Sequence, residues 1–323
     1  MNNIKWGIIG CGDVTEVKSG PAFNKAPNSS LVAVMRRNAT KAEDYAKRHQ
    51  VPKWYSDADE LINDPEVNAI YIATPPLQHE EFTIKALAAG KPVYVEKPMA
   101  LNSEAAKRMV AAAHQYGVKL SVAHYRREQP LFLKIKTLLE EKAIGDVRFV
   151  DLKMLQPQKN NLIANAEENW RTNLAIAGGG LFHDLAPHQL DLMRYYFGEI
   201  EKFGGIAVNQ TAKDEVDDLV TGHILFKNGV VFNGTWCFTV AEDNQLDSCE
   251  IYGSKGKISF PMFGHQIKLT VDEVEEKLDF LPLTHVEQPM IERVVSYFLD
   301  QGKNPCSGEE AVKTMELLDG FTR

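Results

Sequence analysis

Short apolar segments alternate with amphipathic segments along the first third of the chain. The apolar runs are typical of buried parallel strands and cover Ile4–Ile9, Leu31–Met35, Ala69–Ala73 and Pro92–Val95. The segments between them carry apolar residues at helical spacing, and they predict helices over Thr40–Arg48, Asp57–Asn63 and His79–Ala89, the last closed by Gly90. This alternation continues to about residue 120 and predicts βαβ units in a doubly wound parallel sheet.

After residue 120 the pattern changes to closely spaced strands with little helix between them. Strands are predicted over Val147–Met154, Lys202–Val208, Leu219–Phe226, Val230–Phe238, Ser248–Tyr252, Lys257–Phe260, Gln266–Leu269 and Lys277–Phe280. Helices are predicted over Pro130–Lys142, near Ala186–Phe197, over Met290–Gln301 and over Glu309–Phe321. Asn228-Gly229 is typical of a tight hairpin turn between two of the strands. This half predicts a largely antiparallel sheet with one face covered by helices.

The composition narrows the class of protein. With 44% hydrophobic and 25% charged residues, the 323-residue chain is typical of two globular domains. A net charge of −8 without a basic run argues against nucleic acid or an anionic membrane as a partner. No apolar stretch reaches the ~18 residues of a membrane span, and the amino terminus shows no targeting pattern. The four cysteines lack CxxC spacing, so we expect no disulfides, no zinc site and a cytoplasmic location.

A glycine loop follows the first predicted strand. The segment Gly7-Ile8-Ile9-Gly10-Cys11-Gly12 places Gly10 and Gly12 where backbone N–H groups can approach a nucleotide diphosphate closely, and Asp13 and Val14 follow directly. Thr15 stands where a third glycine is usual, and Pro21 predicts a helix restarting there. At the first strand of a βαβ series, the loop predicts a dinucleotide-binding Rossmann domain.

Two arginines follow the second predicted strand. An acid usually stands there to bind the adenosine ribose hydroxyls, but this chain has Arg36 and Arg37. Guanidinium groups bind a 2′-phosphate with paired hydrogen bonds, whereas a carboxylate repels it. We therefore expect a preference for NADP(H), with NAD(H) also possible; the alternative is that both arginines are solvated surface residues.

Further motifs link the two halves of the chain. Glu96-Lys97-Pro98 follows the Pro92–Val95 strand, and Gly178-Gly179-Gly180 precedes Asp184 and His188. With the glycine loop and the sheet-rich second half, these motifs, in this order, resemble the Gfo/Idh/MocA oxidoreductases over essentially the whole chain. The resemblance implies an α/β Rossmann domain over residues 1–122. It also implies an α+β domain with an open, largely antiparallel sheet over residues 123–323, whose closing helices can pack back on the first domain.

The resemblance also implies roles for individual residues. The residues expected to bind the cofactor include those of the glycine loop and the two arginines. The full set is Gly10, Gly12, Asp13, Val14, Arg36, Arg37, Thr74, Pro75, His79, Glu96, Lys97 and Arg171. The Lys97–Pro98 peptide is expected to be cis. Trp170-Arg171 resembles a pair in the anhydrofructose-reductase-like branch, and Trp170, Tyr125 and Arg126 are candidate substrate contacts. The alternative for Tyr125 and Arg126 is surface ion pairing.

Three residues are expected to act on the substrate. Imidazole exchanges protons near neutral pH, so His188 is the expected general acid/base. Asp184 and His188 are separated by four residues, about 40° apart on a helix, and can face one cleft; Asp184 is expected to accept a substrate hydroxyl. Lys97 is expected to stabilise charge on the substrate oxygen, and carrying the proton is its alternative role. We expect a structural role for Asp191, no site role for His183, and no metal.

These residues predict an NAD(P)-dependent dehydrogenase or reductase acting on CH–OH groups of a sugar, polyol or related hydroxy-carbonyl compound. Two alternatives remain open: an NAD-dependent glycosidase, in which the oxidation is transient, and a regulator that binds the dinucleotide without net chemistry. The resemblance implies a homodimer or homotetramer assembled through the sheet of the second domain.

Overall fold

The computed structural model describes residues 2–158, 173–212 and 215–322. The chain divides into two compact units. Unit 1 combines Met1–Tyr125 with Leu283–Met315, and unit 2 combines Arg126–Pro282 with Glu316–Arg323. The sequence-based division placed all of residues 123–323 in the second domain, whereas Leu283–Met315 is part of unit 1. Within the described ranges, no helix combines the length and apolar character that a membrane crossing requires.

Unit 1 contains a six-stranded parallel sheet with the strand order β3-β2-β1-β4-β5-β6, which confirms the doubly wound arrangement. Its strands are β1 (Ile4–Ile9), β2 (Ser29–Met35), β3 (Lys53–Tyr55), β4 (Ala69–Ile72), β5 (Val93–Val95) and β6 (Leu120–Val122). Its helices are α1 (Asp13–Val17), α2 (Ala39–His49), α3 (Ala58–Asn63), α4 (His79–Ala88), α5 (Ser103–Tyr116) and α9 (Gln288–Phe298). The four predicted strands (β1, β2, β4 and β5) and the predicted helices α2, α3, α4 and α9 are confirmed to within a few residues, whereas β3, β6 and α5 were not predicted.

Local side-chain chemistry explains where these helices begin. The side chains of Asn38, Asp57 and Asn102 accept backbone N–H bonds at the starts of α2, α3 and α5. The helix expected to restart at Pro21 is only a short 3₁₀ helix, Gly20–Asn24. It packs so closely that a Cβ on Gly20 would lie 2.2 Å from the carbonyl oxygen of Thr15.

Aromatic rings fill the core of unit 1. Trp6 packs on Phe23 with ring centroids 4.8 Å apart, and Tyr71 stacks on Tyr94 at 5.3 Å. Phe298, from α9, lies 5.6 Å from Trp6, which ties the returning segment of the chain to the sheet. Tyr71 lies on β4 and Tyr94 lies on β5, and both side chains are buried.

Unit 2 contains an eight-stranded sheet in the order β14-β13-β12-β11-β7-β10-β9-β8. Its strands are β7 (Val147–Leu155), β8 (Ile200–Val208), β9 (Leu219–Phe226), β10 (Val231–Cys237), β11 (Leu246–Gly253), β12 (Gly256–Phe260), β13 (Gln266–Val271) and β14 (Val274–Asp279). Only the β7–β10 pair is parallel, so the largely antiparallel prediction is confirmed. The helices are α6 (Pro130–Glu140), α7 (Leu174–Ala177), α8 (Gly180–Phe197) and α10 (Gly308–Thr322), which begins in unit 1.

The start of α8 was predicted wrongly. The sequence pattern predicted a helix near Ala186–Phe197. In the structure α8 begins at Gly180 and carries Pro187 in its interior. Because α8 begins before Asp184, Asp184 and His188 lie one turn apart on the same helix, as the proposed chemistry requires.

Candidate active site

The glycine loop turns sharply at the carboxyl end of β1. Gly10 has a φ of +95°, and a Cβ there would lie 2.7 Å from the backbone nitrogen of Thr74. The N–H groups of Gly10 and Cys11 donate to the carbonyl oxygen of Met35 at 2.9 and 3.0 Å. The loop is therefore fixed against both neighbouring strands, β2 and β4, at the edge where ligands of such sheets bind.

The next residues of the loop offer unused donors. Among the described residues, no acceptor takes up the backbone N–H groups of Asp13 and Val14. Among the residues that the structure describes, a Cβ at Gly12 would meet only the Gly10 carbonyl oxygen, at 3.9 Å, so these residues leave open space there. Thr15 is buried, and its hydroxyl bonds the backbone N–H and carbonyl of Gly12. Free donors beside open space fit an anionic diphosphate.

The two arginines after β2 lie in different surroundings. Arg36 is half-buried, and its Nη1 lies 3.5 Å from the carbonyl oxygen of Cys11, so its side chain reaches back over the glycine loop. Arg37 is exposed. Only Arg36 is therefore held beside the loop.

A buried histidine joins the loop after β4 to the segment after β5. The ring of His79 lies 2.7 Å from the Thr74 carbonyl oxygen through Nε2 and 3.0 Å from the Pro98 carbonyl oxygen through Nδ1. Burial lowers the pKa of His79 to about 4, so the ring is neutral at pH 7 and donates to one of these two carbonyl oxygens. Thr74 Oγ1 is buried without a hydrogen-bond partner in the described parts of the chain, which fits a hydroxyl facing a bound ligand. Pro75 is half-buried beside it.

Glu96 and Lys97 follow β5 directly. Glu96 is buried; its Oε1 accepts the Tyr71 hydroxyl at 2.6 Å, and its Oε2 accepts the Lys97 backbone N–H at 3.2 Å. Lys97 is half-buried, and the Lys97–Pro98 peptide is cis, as expected. The structure thus brings the glycine loop, Arg36, Thr74, His79 and the Glu96-Lys97 pair together at one edge of the sheet of unit 1.

Helix α8 carries the candidate residues of unit 2. Asp184 is half-buried and His188 is buried, one turn apart. The ring of His183 lies close against Gly179, because a Cβ on Gly179 would be 1.9 Å from its Nδ1. Its ring therefore covers the turn before α8 and also packs edge-on against Phe182.

Aromatic packing surrounds His188. Its ring lies edge-on to Phe263 with centroids 6.1 Å apart, and the Arg126 guanidinium lies 4.4 Å from the centroid of the same Phe263 ring. Arg126 is buried and donates through Nη1 to the Met262 carbonyl oxygen at 2.6 Å. The carboxylate of Asp247 accepts the backbone N–H groups of Met262 and Phe263, which fixes this loop. The alternative of surface ion pairing for Arg126 is therefore wrong.

Asp191 belongs to a buried ion pair in unit 2. Its two oxygens accept hydrogen bonds from Nη2 and Nε of Arg127 at 2.7 and 2.8 Å, and both side chains are 2% exposed. Arg127 also lies over the Tyr195 ring at 5.1 Å. The structural role expected for Asp191 is confirmed, whereas its partner Arg127 carried no signal in the sequence.

Two predicted residues, Trp170 and Arg171, lie outside the described residues. Tyr125 is buried at the end of the first segment of unit 1, whereas Arg126, Asp184 and His188 belong to unit 2. Sequence reasoning missed Glu287, which is fully buried against Glu96 and Tyr71. It also missed Phe263. Neither residue stands in a recognisable motif.

Known proteins match both units. A model described as the oxidoreductase family with an NAD-binding Rossmann fold matches residues 4–124, and the GFO/IDH/MocA C-terminal domain matches residues 132–259. The chain is 49% identical over 322 residues to an oxidoreductase from Formosa agariphila, covering 99% of this chain and 98% of that relative. It is 29% identical over 262 residues to 1,5-anhydro-D-fructose reductase from Ensifer adhaerens, covering 79% and 74%.

The fold also matches solved structures. A levoglucosan dehydrogenase in complex with NADH and levoglucosan superposes with a TM-score of 0.87, covering 99% of this chain and 96% of that one. At 23% identity this similarity shows the fold alone. The predicted fold class, with a parallel first sheet and a mostly antiparallel second sheet, is thereby confirmed.

Proposed function

The chain belongs to the GFO/IDH/MocA family of NAD-binding oxidoreductases, and we propose that it transfers hydride between NADP(H) and a CH–OH group of a sugar, polyol or related compound. The observation that carries the proposal is the glycine loop, where the free N–H groups of Asp13 and Val14 lie beside the open space at Gly12. The names of the relatives, a reductase of anhydrofructose and a dehydrogenase of levoglucosan, support a carbohydrate substrate.

The cofactor would be held by residues from successive loops of unit 1. Donors for the diphosphate are the backbone N–H groups of Asp13 and Val14, while Thr74 has a buried hydroxyl without a partner in the described residues. Glu96 and Lys97 follow β5, where the resemblance places the nicotinamide. When bound, the nicotinamide supplies the two-electron donor or acceptor. The protein contributes position, charge and one proton path.

Three side chains divide the remaining work. His188 acts as the general acid/base, accepting the hydroxyl proton during oxidation and returning it during reduction. Lys97 stabilises negative charge on the substrate oxygen. Asp184 accepts a hydrogen bond from a substrate hydroxyl and so orients the reacting carbon. The edge-on Phe263 ring fixes the orientation of the His188 ring within unit 2.

The activity is tested by following nicotinamide absorbance with a panel of aldoses, anhydrosugars and polyols in both directions. Net oxidation or reduction with one of these classes supports the proposal. Turnover of a glycoside in which bound cofactor is regenerated in every cycle favours the glycosidase alternative. Tight dinucleotide binding without turnover of any class favours a regulator, and in that case the proposed reaction is wrong.

We expect Arg36→Ala to weaken NADPH binding about 10- to 100-fold and to change NADH binding by less than about 3-fold. The reason is the loss of a charge-assisted hydrogen bond to the 2′-phosphate, a group that NADH lacks. Fluorescence titration with both dinucleotides measures the two constants. Arg37→Ala is the matched control, because Arg37 is exposed, and should have a smaller effect. Equal weakening of both dinucleotides by Arg36→Ala would contradict the NADP preference.

We further propose that the outer face of the unit 2 sheet joins copies of this chain. Its central strands expose large apolar side chains in register, since Phe149 on β7 pairs with Val231 on β10. Phe149 also stacks on Tyr252 of β11 with centroids 4.5 Å apart, and Ile206 on β8 is 68% exposed on the same face. Apolar area of this kind is typical of interfaces.

Ile206→Glu is expected to convert the oligomer into a monomer, because a carboxylate cannot be buried in an apolar interface without a partner. Light scattering after size-exclusion chromatography gives the mass directly. Val274→Glu is the control, since Val274 is equally exposed but lies on the edge strand β14. A wild-type protein that is monomeric at micromolar concentration would overturn this part of the proposal.

A further inference from the structure

Two buried glutamates face each other in unit 1. Glu96 follows β5 and Glu287 precedes α9; Glu287 is fully buried and Glu96 is 6% exposed. Both carboxyl groups reach the hydroxyl of Tyr71, which lies 2.6 Å from Glu96 Oε1 and 3.4 Å from Glu287 Oε2. The pair lies among the core aromatic rings, with the Lys18 backbone carbonyl accepting the Glu287 N–H.

The arrangement of the two buried carboxyl groups requires one of them to carry a proton. Two ionised carboxylates are acceptors only, so two of them that meet at one buried hydroxyl repel each other unless one is protonated. Tyr71 has a single hydroxyl proton, and the shorter distance assigns it to Glu96. Oε1 of Glu287 has no donor among the described residues. A second charge buried without a donor would carry a large desolvation cost.

The surroundings identify which member is protonated. Burial raises the pKa of Glu96 above its ordinary value of 4.5, but the Lys97 charge and the Tyr71 hydroxyl, which Glu96 accepts together with the Lys97 N–H, oppose this shift and favour the ionised form. Burial, followed by the negative charge of Glu96, raises the pKa of Glu287 well above its ordinary value of 4.5. The other titratable groups facing the pair are Lys18, whose charge opposes this shift, and Tyr94. Burial raises the pKa of Tyr71 and Tyr94 well above 10, so both remain neutral.

We propose that Glu287 and Glu96 share one proton at neutral pH, and that Glu287 is a positioning residue which leaves a single negative charge on Glu96 to hold Lys97. Oε2 of Glu96 accepts the backbone N–H of Lys97. The O–H of Glu287 therefore holds the Glu96 carboxylate in place, and the Glu96 carboxylate in turn positions Lys97. The positioning part of this inference rests on the proposed function of Lys97, whereas the shared proton does not.

The first test is the pH dependence of folding. A raised pKa in the folded state stabilises the fold fully below the unfolded value of about 4.5, and that contribution is lost as pH rises toward the folded pKa. Glu287→Gln keeps a donor to Glu96 but cannot ionise. Between pH 5 and pH 8, the unfolding constant of the wild type divided by that of Glu287→Gln should rise, by up to about tenfold per pH unit. Urea denaturation measures both constants.

The exposed Glu292→Gln, on the same α9 helix, is the matched control and should change the unfolding constant by the same factor at every pH in this range. A ratio for Glu287→Gln that also stays constant would mean a merely structural glutamate and would overturn the shared proton. If Glu287→Gln does not fold, infrared spectra of the wild type labelled with ¹³C-carboxyl glutamate decide. A protonated glutamic acid band that shifts with the label at pH 7 supports the proposal, and its absence refutes it.

The second test concerns Lys97. If the wild type catalyses the proposed reaction, Glu287→Leu should lower kcat more than it changes KM, and Glu287→Gln should restore most of kcat. Equal kcat for the Leu and Gln variants would refute the positioning role while leaving the shared proton intact. Because the folding and infrared measurements need no substrate, failure of the proposed enzyme activity and failure of the shared proton are distinguishable.

Discussion

Replacing His188 with Gln is expected to lower kcat by about 10²- to 10⁴-fold, the usual contribution of a positioned acid/base group. The amide keeps the approximate size and a donor, but it cannot accept and return a proton. Dinucleotide affinity should change by less than about 3-fold, because the proposed cofactor-binding residues that the structure describes lie in unit 1 and His188 lies on α8 of unit 2. Steady-state kinetics with the substrate found in the panel, together with NADPH titration, measure both quantities.

His183→Gln is the matched control on the same helix. This histidine covers the turn at Gly179, so its replacement should lower stability while kcat of the folded protein changes by less than about 3-fold. A His188→Gln variant that keeps more than about a tenth of the wild-type kcat would contradict the acid/base assignment and would favour Lys97 as the proton carrier.

The second large effect is on stability. Asp191→Ala is expected to lower the free energy of unfolding by about 3–5 kcal/mol, because it leaves the Arg127 charge buried without its carboxylate. Urea denaturation followed by circular dichroism measures the loss. The double variant Arg127→Met/Asp191→Leu removes both charges together and should be clearly more stable than Asp191→Ala. A loss below about 1 kcal/mol for Asp191→Ala would mean that water or another group compensates the guanidinium.

Much of the fold could be predicted from the spacing of apolar residues and from the positions of glycine and proline. The strands β1, β4 and β9 lie where continuous or alternating apolar residues place them, since these patterns report burial directly. The three-residue strands β3 and β6 were missed, because so short a segment carries no period and forms only through its sheet neighbours. Pro187 concealed the first turns of α8, because the surrounding packing overrides its cost in the interior of a helix.

The candidate site likewise contains residues that the sequence predicted and residues that it did not. The glycine loop and the Glu96-Lys97 pair carry local motifs, because a close backbone approach and a residue directly after a strand both leave a local signature. Glu287 leaves none, since its partner Glu96 lies far away along the chain and only the fold brings them together. Arg36 and Arg37 were equivalent in the sequence, and only the structure shows Arg36 reaching back over the loop.

The central claim is that the glycine loop of unit 1 binds a nicotinamide dinucleotide. Its most direct test is a titration of the purified protein with NADPH and with NADH, following energy transfer from tryptophan, including the buried Trp6, to the nicotinamide. The account predicts saturable binding of one dinucleotide per chain, tighter for NADPH than for NADH. Absence of transfer with both dinucleotides up to ~1 mM, the upper end of ordinary substrate affinities, would contradict it.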